Sequence, residues 1–183
     1  MTTWKDKRKV MQRYDVTAEM YDERYADEQK GKFRKALVNV NVEGASVLDV
    51  GCGSGLFFKG VAAQADLVVG VDVSRKLLLK AQEQARAFGN VSILQADADH
   101  LPFKDRFFDA VFAFTVLQNM PKPSKTLSEL KRIVKFGGRV VVTGLKKAFP
   151  LNQFMDVLEN SGLKLAAFVD EEAVNCYVAV LVG

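Results

Sequence analysis

Histidine, tryptophan, cysteine and proline are scarce in this chain: one, one, two and four among 183 residues. Cys52 and Cys176 cannot build a disulfide framework or a cysteine-based zinc site. No cluster of Cys, His, Asp or Glu has the spacing of metal ligands, so no metal is expected. No apolar run approaches the ~18 residues that a membrane span needs, so no membrane association is expected. The N-terminal stretch MTTWKDKRKVMQRYD has neither an apolar core nor a small-residue cleavage site, which argues against a secretory signal. Linkers, low-complexity tracts and internal repeats are missing too, so one domain is expected. The cysteine usage fits a reducing, cytoplasmic setting.

What is present is ordinary for a globular domain: 49% apolar and 26% charged residues, with a mean hydropathy of +0.00. A chain of this length buries one proper core. The net charge of +4 is unevenly spread. Residues 1–13 carry five basic groups and one acid, residues 14–30 two and six. Residues 120–147 carry eight basic groups against one acid, and residues 148–183 one against five. The first 13 residues read as a tail ahead of a lid. The basic stretch reads either as a patch for an anionic partner or as a solvated helix face.

Hydrophobic periodicity predicts a helical N-terminus over residues 1–30, with Val10, Tyr14, Ala18, Tyr21 and Tyr25 three or four residues apart. A second helix is expected over 32–40. Strands are expected over 45–50, 67–73, 91–96, 108–117, 139–144, 163–169 and 174–182. Between them lie helices over 56–64, from the N-cap Ser74 to Phe88, over 121–135 and over 151–162. The last two strands are joined only by Asp170-Glu171-Glu172-Ala173, which permits a hairpin and no parallel crossover. The expectation is a doubly wound α/β fold: a mostly parallel seven-stranded sheet, helices on both faces and an antiparallel C-terminal strand. Residues 1–43 would be a helical lid and residues 44–183 the core.

Asp49-Val50-Gly51-Cys52-Gly53-Ser54-Gly55 follows the first strand and opens a helix. Glycines suit a sharp turn that brings backbone close to a ligand, and the helix start offers free N–H groups to a negative group. Alone the pattern is weak, because a tight turn without a ligand looks the same. Two more acids strengthen it. Asp72 ends the second strand, where a carboxylate can accept both hydroxyls of a ribose. Asp97 ends the third, within reach of an adenine ring. Three successive strand ends then converge on the crevice where doubly wound folds bind ligands.

These segments resemble the class I, Rossmann-like, S-adenosylmethionine-dependent methyltransferases, and among them the small type 11 branch. The resemblance covers nearly the whole chain. LDVGCGSG is similar to the motif that holds the methionine part of the cofactor, which implies Asp49, Gly51, Cys52 and Gly53. VVGVDVS is similar to the strand whose terminal acid binds the ribose, implying Asp72 with Val73 beside it. QADADHLPFKDRFFDAVFA implies Asp97 and Ala98 at the adenine, and Ala113 and Phe114 at the end of the fourth strand. ELKRIVKFGGRVVVT is similar to the segment entering the fifth strand, with Phe136 where the family usually has Pro, a departure expected to be local. YDVTAEMYDERY is similar to a helix that lays tyrosines over the cofactor, implying Tyr14 and Tyr21, although core packing also explains them. The implied strand order is 3-2-1-4-5-7-6. The implied cofactor is S-adenosylmethionine, leaving as S-adenosylhomocysteine.

An NAD-dependent oxidoreductase also needs glycines and an acid after the second strand. The Gly-x-Gly-x-Gly spacing, Asp49 ahead of it, the 44 residues before the first strand and the lack of room for a substrate domain argue against that reading. A non-catalytic cofactor-binding subunit stays open.

Methyl transfer mainly needs the acceptor held in line and water excluded, so no catalytic constellation is required, and none is found. Phe114 stands where enzymes that methylate amino groups of bases or glutamine place Asp or Asn, which argues against that chemistry. No Pro-Cys pair is present for covalent attack on a pyrimidine. His100 reads as a solvated loop residue. Gln118 and Asn119 are placed either to hydrogen-bond an acceptor or, for Asn119, to cap the next helix.

The acceptor is left open between a small molecule enclosed by residues 1–30 and an RNA or protein across the open edge. Lys122, Lys125, Lys146 and Lys147 border the expected pocket. In the implied order, Val91–Gln95 lies on the sheet edge and carries no charge. Some relatives that modify the translation machinery pair this edge with a small zinc-binding activator. A similar activator subunit, or a homodimer, is expected to suit it here, unless the chain covers its own edge.

Overall fold

Runs rich in valine, leucine and phenylalanine become the strands of one sheet. They are β1 (Ser46–Val50), β2 (Leu67–Asp72), β3 (Val91–Gln95), β4 (Phe108–Ala113), β5 (Val134–Leu145), β6 (Lys164–Val169) and β7 (Cys176–Val182). The structure is a computed structural model and describes residues 4–172 and 174–183. The strand order is β3-β2-β1-β4-β5-β7-β6. Strands β1 to β5 pair in parallel, and β7 runs antiparallel to both β5 and β6. This is the Rossmann-like order that the resemblance implies. The turn residue Ala173 lies outside the described residues.

The helices are α1 (Trp4–Thr17), α2 (Tyr21–Leu37), α3 (Phe58–Val61), α4 (Arg75–Ala85), α5 (Pro123–Ile133) and α6 (Leu151–Glu159). Successive strand residues point to opposite faces, so each strand feeds two cores. Leu48, Val69 and Val140 join Leu127, Leu130 and Phe154 of α5 and α6 on one face. Val47, Val68 and Val141 join Ala36, Phe58 and Ala81 on the other. The chain runs to β2 on one side of β1 and to β4 on the other. The crevice expected at such a switch point opens at the carboxyl ends of these strands.

Four elements differ from the sequence reading. The N-terminal helix breaks at a 3-10 turn over Ala18–Met20, because buried Ala18 makes the corner and Thr17 (φ −95°, ψ 3°) and Met20 (φ −99°, ψ 7°) leave the helical region. Helix α2 then runs through Gly31, whose surroundings are open; one interior glycine costs only ~1 kcal/mol. Residues 1–3 of the expected helix lie outside the described residues. Helix α3 is only four residues long, and two of the N–H groups at its start are taken up within the turn: Gly55 N donates to Cys52 O and Phe58 N to Gly55 O. Strand β4 stops at Ala113, and Thr115 takes φ +62°. Strand β5 starts early at Val134 and slips register between its pairs with Phe108 and Ala110, absorbing the expected Phe136-Gly137-Gly138 helix stop. Phe136 is 75% exposed and, among the described residues, stacks only with Arg106, so its departure from proline is local.

Candidate active site

The glycine turn is built by backbone conformation. Gly51 (φ +71°) and Gly53 (φ +55°) lie in the left-handed region that side chains avoid. A Cβ on Gly51 would come within 2.6 Å of Val116 Cγ2, so the turn also needs the missing side chain for space. The turn is pinned to β2: Gly51 N and Cys52 N donate to Val71 O at 2.7 and 3.0 Å. Gly53 N donates to Asp72 Oδ2 at 2.9 Å, and Ser74 N donates to Asp72 Oδ1 at 2.8 Å. The Asp72 carboxylate thus has one N–H on each oxygen and lone pairs to spare. Ser74 also caps α4 as expected, accepting from Leu77 N.

A first cavity of about 90 Å³ opens at these strand ends. Eight sequence-predicted residues line it: Tyr14, Tyr21, Gly51, Asp72, Val73, Asp97, Ala98 and Phe114. Four do not. Gly53 touches the cavity only through Asp72 and through Tyr21, whose ring would lie 3.3 Å from a Cβ there. Ala113 is fully buried in the core. Asp49 and Cys52 face a separate small void beneath the glycine turn, shared with Gln29. Burial, and then the nearby Asp72 carboxylate, push the Asp49 carboxyl up to about 8. Burial likewise raises the Cys52 thiol. The Tyr21 hydroxyl is raised by burial and by Tyr14 and Asp72, so it stays a neutral donor.

The sequence reading missed Lys7. It belongs to α1 and not to a tail, and it lines the first cavity. Its ammonium donates to both oxygens of Asp97, at 2.6 and 2.8 Å, and to Asp99 Oδ2 at 2.5 Å. Helix α1 buries no residue of its own. It is held by this clamp, by Asp15 accepting from Ser74 Oγ and Lys76 N, and by Asn119 Nδ2 donating to the Tyr14 hydroxyl. Asn119 therefore does not cap α5, whose N-cap is Lys122. The one signal in sequence was the pair Asp97-x-Asp99, two acids close together that need a cation.

A second cavity of about 470 Å³ adjoins the first and shares Tyr14, Tyr21, Thr115 and Asn119 with it. It lies between α1, α2 and the segments after β4 and β5. At the boundary stands Thr115, a β-branched residue in a strained left-handed conformation, of a kind that concentrates at functional sites. Its N–H donates to Thr143 Oγ1 at 2.7 Å, and its hydroxyl accepts from Lys32 Nζ at 3.1 Å. Lys32 is 1% exposed and also pairs with Glu28 at 2.8 Å.

Several basic residues of 120–147 are paired with acids. Lys146 pairs with Asp170, Lys135 with Asp109, and Arg132 with Asp105 and Glu129. Lys125 lies 2.7 Å from the ring of His100, a loop residue as expected. Of the four singled-out lysines, Lys147 lines the second cavity. Among the described residues, no helix is long and apolar enough to cross a membrane.

Comparison with known proteins adds the following. A family model described as "Methyltransferase domain" matches residues 48–142. Phosphatidylethanolamine N-methyltransferase of Cereibacter sphaeroides is 32% identical over 126 residues, 67% of this chain and 62% of its own length. The chain spans 41% to 62% of the length of such curated relatives. Magnesium protoporphyrin IX methyltransferase of Synechocystis PCC 6803, solved with bound S-adenosylmethionine, shares the fold with a TM-score of 0.78 at 20% identity, over 100% of this chain and 99% of that one. A chain of the complex between the Haloferax volcanii Trm112 methyltransferase activator and a methyltransferase matches with a TM-score of 0.79 at 20% identity, over 92% of this chain and 96% of that one.

Proposed function

The chain belongs to the methyltransferase-domain family, and on that premise we propose that it is an S-adenosylmethionine-dependent methyltransferase with a small-molecule acceptor. The observation that carries the cofactor reading is Asp72, whose carboxylate is fixed at the first cavity by two backbone N–H groups and keeps lone pairs for a vicinal diol. Bound S-adenosylmethionine supplies a methyl group already activated on a sulfonium. The residues of the chain then bind and orient. Gly51 and Gly53 let backbone approach the methionine part, Asp72 accepts from the ribose, and Asp97 and Ala98 face the adenine. Tyr14 and Tyr21 close over the site and keep water out. At about 90 Å³ the first cavity is well below the ~300 Å³ at which ligand pockets begin. Admission of the cofactor therefore requires α1, and Lys7 with it, to move away from Asp97. Residues 1–43 act in this reading as a lid on a core of 44–183.

The small-molecule reading rests on the second cavity, which is enclosed by α1 and α2 where an acceptor must lie. With no side-chain base assigned, the acceptor atom's proton, where it has one, is lost to bulk water before the site closes or as the product leaves. Calorimetry with S-adenosylhomocysteine tests the cofactor reading. Binding in the micromolar range is expected for the wild type and its loss for Asp72→Ala. No binding by the folded wild type would overturn the reading, and binding without transfer of labelled methyl groups into any fraction of a lysate would favour the non-catalytic alternative.

A second reading adds a protein partner. Among the described residues, strand β3 pairs only with β2, and Ser92, Leu94 (41% exposed) and Gln95 face solvent, so its outer backbone groups are open to strand addition. A small activator subunit, or a second copy of the chain, would dock there. The two buried free cysteines suit a reducing, cytoplasmic setting.

A further inference from the structure

We propose that the second cavity takes a small aromatic hydroxy acid, with its hydroxyl held inside by side-chain amides and its carboxylate at the mouth. The proposal rests on the methyltransferase reading above and names the acceptor class for it. Four observations support it. The volume, about 470 Å³, lies in the range of pockets that enclose small ligands and excludes a folded chain or a duplex. Tyr14, Tyr21 and Tyr25 form one wall, with successive ring centroids 6.1 and 5.0 Å apart, a surface suited to a planar ring.

The third observation is an unmet need. Gln29 and Gln118 line this cavity, and the Oε1 of each is buried and, among the described residues, has no hydrogen-bond partner; Gln29 is only 7% exposed. Buried acceptors without a donor are rare and costly, and an incoming hydroxyl supplies the donor. The fourth is charge. Lys32 is neutralised by Glu28 within the wall. Arg13 and Lys147 also line the cavity and are exposed, and among the described residues neither pairs with a carboxylate. Arg13 instead donates to Asn119 Oδ1 at 2.8 Å. The mouth thus carries two uncompensated cations and the interior two uncompensated acceptors. A carboxylate and a hydroxyl on one ring meet both.

The test uses the full chain saturated with S-adenosylhomocysteine, whose own binding reports folding and the cofactor site separately. Three probes are titrated: 4-hydroxybenzoate, benzoate and 4-hydroxybenzyl alcohol. The hydroxy acid is expected to bind about tenfold more tightly than either analogue, the scale of one well-made hydrogen bond or one charge contact. In a Gln29→Leu/Gln118→Leu variant that still binds S-adenosylhomocysteine, the preference over benzoate disappears. In Arg13→Gln/Lys147→Gln, the preference over the alcohol disappears. Equal binding of the three probes, or no saturable binding of 4-hydroxybenzoate to the cofactor-loaded wild type, overturns the proposal and leaves the methyltransferase reading standing. Failure of S-adenosylhomocysteine to bind overturns both. Labelled methyl groups found only in RNA or protein would also sink the acceptor assignment.

Discussion

Replacing Asp49 by asparagine is expected to stabilise the protein at neutral pH and to give no gain in acid. Asp49 is 2% exposed and sits beneath the glycine turn, and no hydrogen bond compensates its burial among the described residues. Its carboxyl is raised from 3.8 to about 8, first by burial and then by Asp72. A raised acid means that the native state holds a proton the unfolded chain has released between those two values. Stability must then fall as pH rises through that window. At neutral pH about three units separate the solution from the unfolded value, and each is worth ~1.4 kcal/mol, so the cost is about 4 kcal/mol. Relaxation and water entry around a buried charge reduce such costs, which puts the expected loss at about 2–4 kcal/mol.

Asparagine copies the shape of the neutral acid and removes the titration. Its unpaired amide takes back about 1 kcal/mol at every pH. The part of the difference that changes with pH therefore isolates the carboxylate. Urea unfolding of wild type and Asp49→Asn, at about pH 4 and at about pH 7, measures it. The variant's advantage is expected to grow by about 2–4 kcal/mol between the two. A difference that stays constant within ~0.5 kcal/mol would show that Asp49 ionises freely in the native state and would refute the reasoning.

Two further predictions concern surfaces. Lys7→Met removes the clamp between α1 and Asp97 and Asp99, and because no residue of α1 is fully buried, its amides should exchange with solvent about tenfold faster while those of β1 and β4 do not change; hydrogen exchange resolved by fragment reads this, and unchanged α1 protection would show that the clamp does not hold the helix. Leu94→Lys places a charge on the free edge of β3 and should change stability by less than ~0.5 kcal/mol while abolishing any stable pairing through that edge; light scattering and pull-down before and after the change decide it, and a partner retained in full would put the docking surface elsewhere.

The sheet was legible because its signals are local and redundant. Valine-rich runs and glycine stops mark the strands, the short link after Val169 makes the last strand antiparallel, and the strand order itself is what the family resemblance implies. The first cavity was legible for a different reason: Asp72 and Asp97 stand at or just past strand ends, so placing the strands placed the acids that line it. Where the reading erred, a long-range contact outweighed a local preference. Thr115 bends out of β4 because Thr143 and Lys32, from β5 and α2, hold its N–H and hydroxyl. Asn119 looks like a helix cap in sequence and instead ties Tyr14 and Arg13 of α1. Lys7 lies 90 residues from Asp97, and no periodicity connects them.

The same long-range contacts explain why the two cavities would act in sequence. Tyr14, Tyr21, Thr115 and Asn119 line both; Tyr14 and Tyr21 belong to α1 and α2 and their rings touch, Asn119 is hydrogen-bonded to α1 and Thr115 to α2. Moving α1 away from Asp97 to admit a cofactor must also move Tyr14 and release Asn119, which opens the wall of the second cavity. Re-docking of α1 rebuilds that wall and brings Arg13 back to the mouth. An acceptor site assembled by the same helix that closes the cofactor site would be complete only after the cofactor is in place. If the first cavity takes the cofactor and the second the acceptor, ordered binding with the cofactor first is expected, and product-inhibition kinetics would check it.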